Sequence, residues 1–235
     1  MLDGQRRDRL TRMVTECTTA HGRSGLAQAL CDVCVRVLPG VDAAALTLRG
    51  DARAQEMIGA SDRWAARLEE IQYTVGEGPG VEAFDIGGPV LVGDLSADGA
   101  RWPGFTANTA SEDLAAVFAF PLQFGGIRLG TLDLYRRRPG GLSADAIADA
   151  AVLADLVTLA LLEQDELAGD DDRLRMVVSY QDVNVATGML AAQLRIGLED
   201  AFARLRAHAF SSGRSVLEVA RDVLARSIPL DQLAD

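Results

Sequence analysis

The chain has 235 residues, 49% of them hydrophobic, and a formal net charge of −11. That length allows one large or two modest domains with real hydrophobic cores, and the composition argues against a disordered chain. No apolar run of about 18 residues occurs, and the opening MLDGQRRDRL lacks the apolar segment that follows the charges of a secretory signal, so a cytoplasmic protein with no membrane partner is expected. All 23 cationic side chains are arginine, a bias that suits a GC-rich genome and from which no function is drawn.

Two helices are expected first, over residues 3–20 and 24–38, separated by His21-Gly22-Arg23. Cys31 and Cys34 form a C-x-x-C inside LAQALCDVCVRVL, with no following strand to suit a redox turn; the only histidines, His21 and His208, lie off zinc spacing. Both cysteines read as small buried apolar residues, no metal site is expected, and with Cys17 the odd count suits a reducing compartment. Strands follow at Asp42–Arg49 and Ala54–Ala60 around a Gly50-Asp51 turn, then a helix from Ser61 to Gln72 on which Trp64, Leu68 and Ile71 share a face. The run Gly76-Glu77-Gly78-Pro79-Gly80 forces an irregular backbone before a short helix at Val81–Phe84. With no G-x-x-x-x-G-K-[ST] pattern and no lysine, it reads as a tight turn and not a phosphate loop. A strand at Val90–Val92 and a helix opened by Trp102-Pro103 come next. Phe118, Phe120, Leu122 and Phe124 then alternate with Val117, Ala119 and Gln123, and Gly125-Gly126 returns the chain as IRLGTLDLY, a hairpin. The helix Leu142–Leu162 is apolar around more than one face, so it must pack on something besides a sheet; a dimer partner is the expected occupant.

This order of elements resembles a GAF domain, a six-stranded antiparallel sensory sheet with helices on its faces. LEEIQYTVGEGPGVEAF from Leu68, PVLVGDL, the Trp102-Pro103 pair, AFPLQFGGIRLGTLDLYRRRPGGLS and the alanine-rich helix are similar to GAF domains found ahead of RNA-binding ANTAR domains in actinobacterial regulators, over residues 26–162. The resemblance implies a small-molecule pocket floored by Trp64, Gln72, Phe84, Trp102, Phe118 and Phe120, residues whose mostly apolar character equally fits plain core packing. The Asn-Lys-Phe-Asp-Glu pattern of cyclic-nucleotide-binding GAF domains is absent. No cofactor is expected.

The acid-rich stretch Glu163–Asp172 breaks the apolar run and divides a sheet domain, residues 1–165, from a helical linker, 166–180, and a final domain, 181–230. Three amphipathic periods make up that last domain: Val183, Ala186, Leu190 and Leu194; Leu198, Phe202, Leu205 and Ala209; Val216, Ala220, Val223 and Leu224. The third opens with a Ser215/Glu218 capping box and stops before Pro229. Helices this short bury their faces against one another as a compact bundle. Residues 173–228 hold eight arginines and five acids, a net of +3, whereas residues 1–172 carry −12, an asymmetry that suggests an acidic body joined to a nucleic-acid contact region. On the first helix, the side opposite Val183, Leu190 and Leu194 holds Asn184, Gly188, Ala191, Ala192 and Arg195, with Thr187 beside them. A glycine inside a helix costs about 1 kcal/mol relative to alanine, so something needs close access there, either a tightly crossing neighbour helix or an RNA loop.

Ala186-Thr187-Gly188-Met189, Ala201-Phe202, Leu205-Arg206 with Ala209, and Val219-Ala220 with Val223 resemble the ANTAR domain, a three-helix RNA-binding antiterminator module. The resemblance implies transcription antitermination, by a homodimer that binds tandem hairpins with short loops in nascent mRNA and keeps a terminator from forming. Relatives commonly carry Gln before the Ala-x-Gly; here Val185 stands there, which removes one polar contact. RNA loops are read by stacking and by contacts to splayed bases and phosphates. Arg195, Arg204, Arg206 and Arg214 are the expected cations, His208 a stacking ring, and Asn184, Thr187 and Gly188 the accessible edge. Asp222 and Arg226 read as a surface pair, and Ala186, Met189, Phe202 and Leu205 as core. The expected fold class is α+β: a GAF-like antiparallel sheet with flanking helices, a helical linker and a three-helix ANTAR bundle. The expected role is a signal-responsive regulator that is not an enzyme. A second reading has the closing helices dock a protein partner in place of RNA.

Overall fold

The computed structural model of the protein describes residues 2–21, 23–49, 55–166 and 181–233; the Gly50-Asp51 turn and most of the expected linker lie outside them. Helices α1 (Leu2–Ala20) and α2 (Arg23–Val37) precede strands β1 (Ala43–Arg49) and β2 (Gln55–Ala60). Helix α3 (Arg63–Val75) and helix α4 (Pro79–Ile86) follow, on either side of the glycine run. Then come β3 (Val90–Val92), α5 (Leu95–Asp98) with a 3-10 turn, α6 (Pro103–Thr109), β4 (Ala116–Phe124), β5 (Ile127–Arg136) and α7 (Ala144–Glu166). The closing helices are α8 (Gln181–Leu194), α9 (Leu198–Ser211) and α10 (Val216–Leu224).

All strand pairs are antiparallel, in the order β2-β1-β5-β4-β3, so the described sheet has five strands where the GAF resemblance suggests six, and β5 is central. The period of two sorts the strand residues into two layers. Ala44, Leu46, Phe118, Phe120, Leu122, Leu132 and Leu134 face α1, α2 and α7. Ala43, Ala45, Val117, Ala119 and Tyr135 face Leu68 and Ile71 of α3, Ala83 of α4, and Trp102 and Phe105 around α6.

The second apolar face of α7 finds its occupant inside the chain. Leu10, Val14 and Cys17 of α1 share a core with Leu153, Val157 and Leu161 of α7, and Arg6 pairs with Asp149 at 2.6 Å and Asp145 at 3.1 Å across the two helices. The argument from that face to a dimer partner therefore falls away, because the N-terminal helix already covers it. Cys31 and Cys34 are fully buried in the same layer; burial pushes both thiols up, that of Cys34 to about 12, which leaves them un-ionised and unreactive.

The last three helices make a separate core of Val183, Ala186 and Leu190, Phe202, Leu205 and Ala209, and Val216, Val219, Ala220 and Val223. Met189, expected in that core, is only half-buried and lies outside it. The capping box forms: the Glu218 N–H donates to Ser215 Oγ at 3.2 Å, and the Ser215 N–H donates to Glu218 Oε2 at 2.9 Å. Asp222 accepts from Arg214 at 2.6 Å, not from Arg226 as the spacing suggests. The reason is local. An i, i+4 pair needs helix at both residues, and α10 stops at Leu224, leaving Arg226 at φ 57°. Arg221 bonds Asp182 at 3.2 Å and ties α10 to α8. Because Ser215 is buried, Ser215→Ala removes an acceptor that water cannot replace. Urea unfolding followed by circular dichroism is expected to lose about 1 kcal/mol; an unchanged midpoint would show that the cap contributes nothing.

Candidate functional site

The exposed side of α8 carries the first candidate surface. Asn184, Val185, Ala192 and Arg195 are exposed, and Gly188 is half-buried between them. A Cβ placed on Gly188 would meet no atom within 4 Å. Among the described residues no neighbouring helix crosses there, so tight packing does not account for the glycine. Its face is open to an incoming partner.

Other residues of the expected RNA set lie elsewhere. Thr187 is buried and its Oγ1 donates to the Val183 carbonyl at 2.7 Å, because its position on α8 turns toward the bundle core. It is not part of the exposed edge. Arg204 is half-buried, with Nη1 3.5 Å from the Leu233 carbonyl. Arg214 is engaged by Asp222, and His208 is half-buried on α9. Arg206 does not join Gly188 and Arg195. Its Nε and Nη2 donate to the Tyr73 carbonyl at the end of α3, at 3.1 and 2.8 Å, and its guanidinium lies 4.7 Å from the Phe202 ring centroid. Burial holds this guanidinium below its ordinary pKa.

The second candidate site lies between the sheet and helices α3 and α4. The six expected pocket residues divide between the two faces of the sheet. Trp64, Gln72, Phe84 and Trp102 lie on the α3/α4 side, whereas Phe118 and Phe120 point to the α1/α2/α7 layer. Those two are corrected: alternation placed them together, and it carries no information on which face is which. Trp64 sets its edge against Tyr135 at 6.1 Å, with the Arg137 guanidinium 3.8 Å over its ring and its indole N–H bonded to the Glu112 carbonyl at 2.6 Å. Trp102 is buried and carries Arg101 at 4.3 Å.

Gln72 belongs to a buried polar cluster that the sequence reading missed. Thr47 donates to Glu69 Oε2 at 3.0 Å, Gln72 Nε2 donates to Glu69 Oε1 at 3.2 Å and to Tyr135 Oη at 3.1 Å, and the Tyr135 hydroxyl also donates to Glu69. Gln72 Oε1 in turn accepts from the Gly80 N–H at 2.9 Å. Asp133 completes the cluster from the central strand, its Oδ2 accepting from Thr131 at 2.7 Å while Oδ1 is buried without a hydrogen bond. It stands between Ala45 and Ala119 on the flanking strands, small residues that leave space for its carboxyl, and a Cβ on Gly80 would fall 2.6 Å from Oδ1. Arg49 enters from the end of β1, its Nε and Nη2 buried without a hydrogen bond and its guanidinium 5.8 Å from the Phe84 ring centroid.

Two carboxyls in one dry site do not both ionise readily. Asp133 receives a single donor, from Thr131, and a second carboxyl is buried beside it, so its ionisation is disfavoured. Burial, then the charge of Glu69, pushes Asp133 well above the usual carboxylate range; Thr131 and Arg49 oppose this. Burial likewise keeps the Tyr135 hydroxyl protonated and donating. The sign of the stability effect follows from the raised pKa. The contribution of Asp133 is fully present below its unfolded value of 3.8 and is lost as pH rises toward the higher folded value. Asp133→Asn, which mimics the protonated acid, is expected to match the parent Tm near pH 4 and exceed it increasingly toward pH 8, at roughly 2–4 °C per kcal/mol. A Tm difference that does not vary with pH would place the proton elsewhere.

Comparison with known proteins agrees with this architecture. The GAF domain family matches residues 20–162, and the ANTAR domain family matches residues 177–224. No curated protein matches the chain. Among solved structures, the GAF domain of a phosphoenolpyruvate-protein phosphotransferase from Coxiella burnetii is similar with a TM-score of 0.54 at 16% identity, covering 69% of this chain and 96% of that one. The corresponding Acinetobacter GAF domain gives a TM-score of 0.54 at 12% identity, over 69% and 96%. Free methionine-R-sulfoxide reductase from Neisseria meningitidis gives 0.52 at 14%, over 69% and 92%. At these identities the likeness shows the fold alone, and its being shared with a reductase says nothing of chemistry here. No group of three or more His, Cys, Asp or Glu side chains among the described residues is placed to hold a metal, and no described helix is long and apolar enough to cross a membrane. ANTAR domains are RNA-binding antiterminator modules and GAF domains are signalling domains, both regulatory in kind. The chain belongs to the GAF domain family and carries an ANTAR domain behind its GAF domain, the arrangement of a GAF–ANTAR regulator.

Proposed function

We propose that the protein is a signal-responsive transcription antiterminator, not an enzyme, whose α8 face binds hairpin loops of nascent mRNA as a homodimer and prevents a terminator from forming. The observation that carries this reading is the open face around Gly188 on α8, a helix of the matched ANTAR domain, flanked by Asn184 and, just past the helix end, by the exposed Arg195. A helix pays for an internal glycine only where close approach is gained, and a stacked RNA base is a partner that needs such approach. Asn184 supplies donors and an acceptor to a base edge, and Arg195 a cation to phosphate. The domain division 1–165, 166–180 and 181–230 belongs to this reading. The GAF domain supplies the input, through a small molecule met by the polar cluster of Arg49, Glu69, Gln72, Asp133 and Tyr135.

Val185 supports the second reading, docking of a protein partner, because it is 46% exposed within the same face and offers an apolar contact where a polar one would serve RNA. The two readings separate at Gly188 and Arg195. Fluorescence anisotropy with a tandem-hairpin RNA at several salt concentrations is expected to give saturable binding that weakens as salt rises. Gly188→Leu should stabilise the bundle by up to about 1 kcal/mol, since its Cβ meets nothing, and yet weaken RNA binding more than tenfold by filling the face. Arg195→Ala should reduce the salt slope by about 1. Binding that is absent, or indifferent to salt and to both substitutions, would overturn the RNA reading.

A further inference from the structure

Arg206 is the bundle cation most firmly held by another part of the chain. Its acceptor, the Tyr73 carbonyl, is among the last four of α3, which stand at the negative end of its dipole. The place for the guanidinium is shaped by the glycine that ends the helix. Gly76 adopts φ +75°, and a Cβ on it would lie within 2.5 Å of all the terminal guanidinium atoms of Arg206. A side chain at residue 76 would therefore strain the helix end and evict the arginine at once.

Two further contacts join the same turn to the bundle. Thr74 Oγ1 accepts from the buried N–H of Val216, the first residue of α10, at 3.3 Å. The Tyr73 ring enters the bundle core beside Phe202, with centroids 5.7 Å apart. Beyond them the interface opens into a cleft between Thr74, Asn108, Phe210 and Gly213 that holds only ≈ 30 Å³, about one water molecule. The attachment thus combines a few directional contacts at one turn with the apolar packing of Tyr73 and, from β2, Met57 against the bundle core, a small contact area of the kind that opens without unfolding either side. On the sheet side, the residue before Tyr73 is Gln72, bonded to Glu69, Tyr135 and Gly80. Gln72, Tyr73 and Thr74 are consecutive, so the residue that bonds the polar cluster directly precedes the two that contact the bundle.

We propose that the C-terminal turn of α3 is an autoinhibitory seat: it binds Arg206 and the start of α10, and releases them when the polar cluster beneath α3 is rearranged. A guanidinium that bonds the Tyr73 carbonyl is not available to a phosphate, so the seated bundle binds RNA with an affinity reduced by the fraction of chains that are open. The inhibitory part of this proposal rests on the RNA reading above; the seat itself does not.

The test uses the full chain and three variants, Thr74→Val, Gly76→Ala and Arg206→Ala, with circular dichroism to confirm folding. Thr74→Val keeps the shape and removes only the acceptor for Val216, so it reports even where Gly76→Ala strains the helix end. Amide hydrogen exchange is expected to rise about fivefold or more at Val216 in Thr74→Val and across residues 73–76 in the other two. With the tandem-hairpin RNA, Thr74→Val and Gly76→Ala should bind several-fold tighter than the parent, while Arg206→Ala opens the seat without that gain. Unchanged exchange in all three variants would overturn the seat. Raised exchange with no change in RNA affinity would overturn its inhibitory role. Raised exchange with no RNA bound by any form would overturn the RNA reading, and the inhibitory role with it, while supporting the seat.

Discussion

Helix α3 is buried on two sides, and both domains depend on that. Leu68, Ile71 and the polar pair Glu69 and Gln72 lie toward the sheet, whereas Tyr73 enters the core of the closing bundle. Successive residues of a helix point about 100° apart, so Gln72 and Tyr73 can serve different neighbours from one turn. The sheet domain fixes the position of the turn through Gln72, and the bundle is seated on whatever position the turn takes.

The polar cluster is not what holds the sheet to α3. Burying Glu69 and Asp133 carries a desolvation cost that their hydrogen bonds at best offset, and an apolar pair of the same volume would join the two layers at least as firmly. Leu68, Ile71 and Ala83 already do this nearby. What two buried carboxyls and a hydroxyl add is sensitivity to anything that brings charge or hydrogen-bonding groups into the site. Asp133 Oδ1 and the Arg49 guanidinium are buried with unused hydrogen-bonding capacity there, and both lie on the side of the sheet toward α3 and α4. A cluster arranged only for stability would have used them.

The elements themselves were legible because each is announced locally. Ser215 and Glu218 mark the start of α10, the glycine run marks the end of α3, and the Phe118–Phe124 alternation with Gly125-Gly126 marks the hairpin. What sequence could not supply was the identity of the layer over each face. Thr131, Asp133 and Tyr135 alternate with Leu132 and Leu134 in TLDLY, which reads as a strand with one wet side; only the cover of α3 and α4 makes that side dry and turns Asp133 into an unusual residue. The same gap put Phe118 and Phe120 in the wrong layer and asked for a second chain where α1 covers α7. Within the bundle the period of α8 exposes Asn184, whereas Arg195 is exposed just past the helix end at φ 55°, and Thr187 turns inward, its hydroxyl bonded to the Val183 carbonyl.

Arg206 shows the limit most clearly, because its helical period is right and its partner is 133 residues away in sequence. Its seating also bears on how RNA affinity is generated. In the described bundle Arg204, Arg206, Arg214 and Arg221 each have an acceptor within the chain, whereas Arg195 and Arg226 are exposed. The net charge of +3 over residues 173–228 therefore overstates the positive charge offered on the α8 face. Affinity for a polyanion grows with each phosphate neutralised, by counterion release, so each arginine engaged within the chain is one fewer for phosphate. On the proposed seating, opening the α3 turn frees Arg206 without creating any new contact, so in a chain of net charge −11 the cations offered to RNA change by one arginine gained or withheld.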